Sequence, residues 1–299
     1  MEEFEVTLPT GEVLKGYFWP AEKPVANLTM ITGMNEHASR YDRLGLAMNE
    51  KGINYWCLDA FGQGRNAASI EEQEIWPVDA FAKNVDAVHL MIELAKANGL
   101  PTTHMGHSMG SFMTQSLIQR YPHCADGIIL CGSNGGQAGL MKIAKLLSKI
   151  IVTKKNWNKP CPFLTNLGLG PYSKAIKERK TDLDWLSYNE ENVQAYIADP
   201  YCGHPNTGGF WHEFLKGMAT IWDKKNLSKL SKEERIFIIA GDEDPVGQNG
   251  KGPKWLYDTY RKYGLEKVTV KLYPHMRHEI HNEDDYLTVY EDIAKFVLP

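Results

Sequence analysis

Gly106-His107-Ser108-Met109-Gly110 sets a serine between two glycines, where an apolar run over residues 103–107 gives way to a helical pattern beginning near Met109. A serine hydroxyl is a poor nucleophile until a base takes its proton. A tight strand-to-helix turn lifts that hydroxyl above a sheet, at a helix N-terminus that favours developing negative charge. Glycine at both ends allows the sharp turn without a Cβ clash. Such a turn requires an acid and then a histidine later in the chain. Gly241-Asp242-Glu243-Asp244-Pro245 follows the apolar run 235–240, and Asp244, kept extended by Pro245, is favoured there over Asp242. Pro274-His275-Met276-Arg277-His278-Glu279-Ile280-His281 follows the run 268–273, and position alone leaves His275, His278 and His281 open. The negative oxygen of an acyl-transfer intermediate needs preorganised donors. The backbone N–H groups of Met109, after the nucleophile, and Met34, in the loop after the run ending at Thr32, are the candidates.

These residues need a rigid frame. The runs 13–19, 26–32, 54–59, 103–107, 127–132, 235–241 and 268–273 are short, apolar and rich in β-branched or aromatic residues, as in strands of a mostly parallel buried sheet. Phe81, Val85, Val88, Ile92 and Ala95 recur at helical spacing before the Asn98-Gly99 and Pro101 stop, and similar patterns follow Met109, Pro253 and Glu283. Alternating strands and crossover helices predict an α/β fold, with a parallel central sheet and helices on both faces. Residues 134–222 break the alternation, so the chain divides into a core of 1–133 and 223–299 and an inserted helical cap of 134–222. Residues 141–180 hold ten Lys or Arg against one acid, Glu178, a local +9 in a chain of net charge −4. Within the cap, residues 140–152 place Lys142, Lys145 and Lys149 on one side of a helix and Ile143, Leu146, Leu147 and Ile150 opposite. The simplest expectation is a lid helix that buries its apolar side on its own domain. A basic amphipathic helix of this kind also suits transient contact with an anionic membrane surface or guidance of an anionic substrate.

With 43% hydrophobic and 23% charged residues, the composition is that of a folded globular protein, and its slight acidity excludes a generally basic nucleic-acid binder. The acidic first residues lack the pattern of an export leader, and no apolar run reaches about 18 residues, so a cytoplasmic protein is expected. Of the five cysteines, which form no CxxC pair, Cys57 and Cys131 lie in apolar strand-like runs and read as buried thiols in a reducing compartment. Gly62-Gln63-Gly64-Arg65-Asn66-Ala67 fits a nucleotide-binding spacing but opens no clear helix. The three histidines lack zinc-motif spacing, and Val246 and Gly247 break a calcium loop after Asp242 and Asp244. No metal or cofactor is implied.

The chain resembles the serine hydrolases of the α/β-hydrolase fold, specifically their monoacylglycerol lipase and lysophospholipase branch. Gly33-Met34-Asn35-Glu36-His37-Ala38-Ser39-Arg40-Tyr41 is similar to that branch's HGxxEHxxRY segment, and residues 106–111 match its nucleophile segment. Residues 241–246 resemble its acid loop, and Arg277-His278-Glu279 with Asn282-Glu283 its histidine loop. Residues 184–187 and 199–203 look like cap segments of bacterial members. The resemblance selects Asp244 and His278, and implies a small-molecule acyl ester, such as a monoacylglycerol or lysophospholipid, cleaved through an acyl-enzyme on Ser108. The alternatives are a short-chain carboxylesterase and a catalytically inactive binding protein of the same fold. Two departures stand out: Thr32 replaces the usual histidine before Gly33, and Asp59-Ala60-Phe61-Gly62-Gln63-Gly64 replaces DxRGHG. The sequence names neither the substrate-binding residues nor an oligomeric state.

Overall fold

In the computed structural model, which describes residues 1–298, the apolar runs pair into one eight-stranded sheet. Its strands are β1 (Glu2–Thr7), β2 (Val13–Trp19), β3 (Ala26–Ile31), β4 (Ile53–Leu58), β5 (Thr102–His107), β6 (Gly127–Cys131), β7 (Ile236–Gly241) and β8 (Val268–Tyr273). The spatial order is β1-β2-β4-β3-β5-β6-β7-β8. The β1–β2 and β2–β4 pairs are antiparallel, and every other pair is parallel. Parallel neighbours need crossovers. Three early helices, α1 (Asp42–Glu50), α2 (Ala80–Lys96) and α3 (Met109–Arg120), supply them between β3 and β6. Between β6 and β7 come α4 (Ala138–Ile151), α5 (Pro162–Gly168), α6 (Gly170–Ala175), α7 (Glu190–Ala198), α8 (Gly208–Met218) and α9 (Lys224–Leu227). Then α10 (Lys251–Lys262) joins β7 to β8, and α11 (Tyr286–Val297) follows.

Both faces of the sheet are covered, which is why its central strands read as continuous apolar runs. In β6 and β7, Ile128, Leu130, Ile236 and Ile238 share a core with Leu256 and Tyr260 of α10. The alternate residues Ile129, Cys131, Phe237 and Ile239 pack in a second core with Val289 and Ile293 of α11. Among the described residues no helix is long and apolar enough to cross a membrane.

Two features differ from the sequence expectation. The strand β1 was read only as an acidic N-terminal segment. Buried Phe4 and Val6 in it, and Leu8 just beyond its end, alternate with exposed Glu3, Glu5 and Thr7, the period of a strand with one wet face, and the glutamates mask the signal. Phe4 closes edge-on against Trp56 of β4, ring centroids 5.2 Å apart.

The second difference is α4, which leaves most of its large apolar side chains exposed. Leu140, Ile143, Leu146 and Ile150 are 56–71% exposed, while the small Ala144 and Ser148 are buried. Small residues at this spacing let α4 approach α8 closely, with Ser148 Oγ 3.4 Å from His212 Nδ1, and so turn the bulky stripe outward. Lys142 reaches Asp223 at 2.6 Å.

Truncating Phe4 to Ala is expected to lower the unfolding free energy by about 3 kcal/mol. Urea denaturation measures this, and a loss below about 1 kcal/mol would show that β1 lies outside the cooperative core.

Candidate active site

Ser108 sits at the junction of β5 and α3 with φ +52° and ψ −118°, a left-handed backbone that few non-glycine residues adopt. Its N–H donates to the Cys131 carbonyl of β6 at 2.9 Å. The flanking glycines are required by contact. A Cβ on Gly106 would run into Thr114 Oγ1 and the Gly110 carbonyl, and one on Gly110 into the Ile31 and Thr32 carbonyls. Their absence lets α3 begin directly against β3 and β5, presenting a half-buried serine at the C-terminal edge of the sheet.

The three candidate histidines part company in space. His278 is buried, and its Nδ1 lies 3.0 Å from Asp244 Oδ2. The other oxygen of Asp244 accepts from Val246 N–H at 2.8 Å, so the carboxylate is fixed at both ends. Nε2 of His278 has no hydrogen-bond partner among the described residues. His275 is exposed, stacked on Tyr188 and paired with Glu243 at 3.0 Å. His281 is buried behind His107, ring centroids 4.7 Å apart. The other candidate acid, Asp242, accepts the His275 N–H at 2.8 Å and so shapes the turn before His278. Burial works against an imidazolium at His278. The charge and hydrogen bond of Asp244, with Glu279 and Glu36 further off, outweigh it, and His278 titrates above the ordinary imidazole value.

A buried polar scaffold holds the two loops that flank Ser108. Glu36 accepts the Gly33 N–H at 2.6 Å and the Tyr41 hydroxyl at 2.7 Å, and lies 3.1 Å from His107 Nδ1. Arg40 donates to Glu36 at 2.7 Å and to both oxygens of Glu279 at 2.9 and 3.0 Å. Glu279 also accepts from Asn192 of α7 at 2.8 Å. Burial raises the pKa of both acids, but His107 and Arg40 overcome it at Glu36, and Arg40, aided by His281 and Asn192, at Glu279, so both stay charged. Met34 follows Gly33, whose backbone is packed so closely that a Cβ there would lie 3.1 Å from Ser108 Cβ. Thr32, in place of the expected histidine, buries a hydroxyl without a partner among the described residues. The sequence attached no role to Glu36, Arg40, Tyr41, Glu279 or Asn192. The signal was three ionisable residues and a tyrosine crowded into residues 36–41, next to an apolar strand.

Ser108, His278, Met34 and Met109 line one cavity of about 590 Å³, with Asp244 directly behind His278. The size suits a small organic ligand. Its walls are mainly apolar, with Phe112, Trp211, Phe214, Met218 and Trp222 prominent, and Asn134 and Gln137 supply polar groups. Leu140 of α4 and Leu167 of α5 belong both to this lining and to an exposed apolar surface that continues through Ile143, Leu146, Ile150 and Phe163. The cavity therefore borders an outward-facing apolar rim.

Two clusters hold metal-ligand types, His107 with Cys131 and His281, and His37 with Asp199 and Cys202. His107 is engaged by Tyr41 at 2.9 Å and by Glu36, and His37 by Ser39 and Asp199, both at 2.8 Å, whereas neither ring nitrogen of His281 has a hydrogen-bond partner among the described residues. His275 is exposed and paired with Glu243, apart from the buried His278 and His281.

Residues 22–285 match the family model described as "Serine aminopeptidase, S33". The monoacylglycerol lipase of Mycolicibacterium smegmatis is 24% identical over 290 residues, 93% of this chain and 90% of that protein. Phospholipase YtpA of Bacillus subtilis is 29% identical over 281 residues, 93% of this chain and 97% of that protein. Among solved structures, a thermostable carboxyl esterase from Bacillus coagulans, in complex with glycerol, has a TM-score of 0.88 at 26% identity, covering 99% of this chain and 97% of that one. A monoglyceride lipase from Saccharomyces cerevisiae shares the fold, with a TM-score of 0.75 at 19% identity over 99% of this chain and 94% of that one.

The opposing effects at His278 are separable. Followed by NMR, its imidazole is expected to titrate above about 6.5, and Asp244→Asn to bring it below that value, because burial is then opposed only by the smaller effects of Glu279 and Glu36. A histidine that titrates identically in both proteins would show that Asp244 does not set its charge.

Proposed function

We propose that this chain, which belongs to the serine aminopeptidase S33 family, hydrolyses carboxylic esters of acyl lipids through an acyl-enzyme on Ser108. The observation that carries this reading is the opening of Ser108, on its strained turn, and the unpaired Nε2 of His278 onto one apolar cavity. In the proposed cycle His278 Nε2 takes the Ser108 proton as Oγ attacks the ester carbonyl. Asp244 holds the imidazole with Nδ1 protonated and stabilises its charged form. The N–H groups of Met34 and Met109 receive the oxyanion. Met109 is the first residue of α3, where N–H groups lack intrahelical acceptors. The C–O bond then breaks, His278 protonates the leaving alcohol, and water, activated by the same histidine, releases the acid.

The substrate class rests on the cavity. An acyl chain replaces water against Phe112, Phe214 and Met218, while Asn134 and Gln137 offer hydrogen bonds to a polar head group. The names of the two relatives, a monoacylglycerol lipase and a phospholipase, agree with such a ligand. Peptide N-termini fit less well, because the acids of the lining, Glu36 and Glu279, are taken up by Arg40. Residues 134–222 act in this reading as a cap whose outer face meets the lipid surface. The apolar stripe of α4 enters the interface, and Lys142, Lys145 and Lys149 flank it as a basic border.

Three measurements test the reading. Ser108→Ala is expected to reduce hydrolysis of monoacylglycerol and p-nitrophenyl esters by about 10⁴-fold or more while leaving the fold intact, and undiminished turnover would refute the nucleophile. A fluorophosphonate that labels a serine other than Ser108 and abolishes activity would do the same. Replacing Ile143 and Ile150 together by Asp should slow hydrolysis of monoacylglycerol in phosphatidylglycerol vesicles about tenfold and spare a soluble short-chain ester. Equal effects on both substrates would rule out the lipid-facing cap.

A further inference from the structure

Asn35, next to the proposed oxyanion donor Met34, has φ +59° and is held on every polar group it possesses. Its carbonyl accepts from the Tyr196 hydroxyl at 2.7 Å and from Gly203 N–H at 3.1 Å. Its side-chain oxygen accepts from Asn206 Nδ2 at 2.6 Å, and its own Nδ2 lies 3.4 Å from Asn206 Oδ1. Its backbone N–H lies beside the carboxylate of Glu74 and favours the ionised form of that acid. Glu74 is 1% exposed and also receives Gln63 Nε2 at 2.9 Å and Asn206 Nδ2 at 3.4 Å. Its backbone is anchored separately, with its N–H on the Gly62 carbonyl at 2.6 Å and its carbonyl accepting from Thr207 Oγ1 at 2.7 Å. Four stretches of chain far apart in sequence therefore meet at one acid: the loop after β3, the Gly62–Gly64 turn, the segment before α2 and the segment before α8.

We propose that Glu74 is a positioning residue for the proposed oxyanion loop: through Asn206 and the adjacent Asn35 N–H its carboxylate holds Asn35, and with it the Met34 N–H, and couples that loop to residues 196–206. This rests on the ester-hydrolase reading and adds to it a residue that never touches substrate. An ionised Glu74 is matched to its surroundings in one respect and mismatched in another. The amides of Gln63 and Asn206 donate to it and the Asn35 N–H lies beside it, which suits a carboxylate. No cation points at it, and burial pushes its pKa up to about 8. The charged groups on the adjoining elements have their own partners. Asp59 accepts from Ala38 and Arg65 N–H, and His37 and Asp199 pair with each other. Gln63 Oε1 is buried without a partner among the described residues, so rotation of that amide would offer a neutral Glu74 an acceptor for its proton. The acid can thus exist in two protonation states without leaving its place, and the ionised one is the stronger acceptor for Asn35 N–H.

The test compares wild type, Glu74→Ala and the isosteric Glu74→Gln on a soluble p-nitrophenyl ester across pH, with Ser108→Ala as the blank. Removing the acceptor is expected to lower kcat about tenfold while KM stays within about twofold, since donor geometry matters most in the transition state. Glu74→Gln, which keeps an acceptor oxygen, should recover most of that loss. The wild-type kcat should show a second rise near pH 8, beyond that of His278, which the glutamine variant lacks. Urea unfolding gives a readout independent of turnover. A folded-state pKa raised from about 4.5 means that the stability contributed by neutral Glu74 is complete below that pH and is lost as pH rises towards 8, so wild type should weaken relative to Glu74→Gln across this window. Should Glu74→Ala fail to fold, Glu74→Gln carries the test through the two pH profiles. Wild-type kcat in Glu74→Ala, or a glutamine variant that keeps the upper limb, overturns the positioning role and leaves the ester reading standing. A wild type with no Ser108-dependent turnover overturns the ester reading itself, and this inference with it.

Discussion

Arg40 buried between Glu36 and Glu279 is the interaction on which the geometry of the site depends. One carboxylate belongs to the loop after β3 and the other to the loop that carries His278, so a single guanidinium sets the separation of the two loops across Ser108. All three groups are largely withdrawn from water, where an unpaired charge costs several kcal/mol. The fork geometry of Arg40, the Tyr41 hydroxyl, Gly33 N–H and the amides of Asn192 and Asn282 meet the oxygens of these two acids. Because Asn192 comes from α7, the same cluster anchors the inserted helices to the sheet.

Around that anchor, the parallel sheet does the coarse positioning. The end of β5, the segment after β7 and the segment after β8 all lie at the C-terminal edge, so Ser108 comes to the same edge as Asp244 and His278 although more than a hundred residues separate it from either. The strained backbone of Ser108 persists because its surroundings over-determine it: the hydrogen bond to Cys131, the missing side chains at Gly106 and Gly110, and the start of α3. Glu74 plays a comparable part on the opposite loop. An otherwise unfavourable buried carboxylate there orders a residue, Asn35, that also sits at positive φ.

The helices between β6 and β7 meet a different requirement. They line the cavity with apolar side chains on the inside and leave a second apolar surface outside, on α4 and α5. A stripe that exposed is unfavourable in water and favourable at an interface, which is the physical link between the lining of the cavity and the lipid class of the proposed substrate.

Local chemistry was legible along the chain. The strand periods, the glycines around Ser108 and the order of serine, acid and histidine depend on neighbouring residues, and from them the α/β sheet and a candidate site can be read without any long-range contact. Resemblance to a family was needed to choose His278 over His275 and His281, because all three follow the same strand and only the fold turns one towards Asp244. Long-range packing was not legible. The glutamates of β1 hid its alternation, and the apolar side of α4 was expected to turn inward because amphipathicity gives a helix two faces without saying what each one meets. The small residues Ala144 and Ser148 decided that against α8. Whether Glu36, Glu74 and Glu279 are solvated surface acids or buried ones is likewise a property of segments remote in sequence. A carboxylate's neighbours, and hence its charge, exist only once the chain has closed around it.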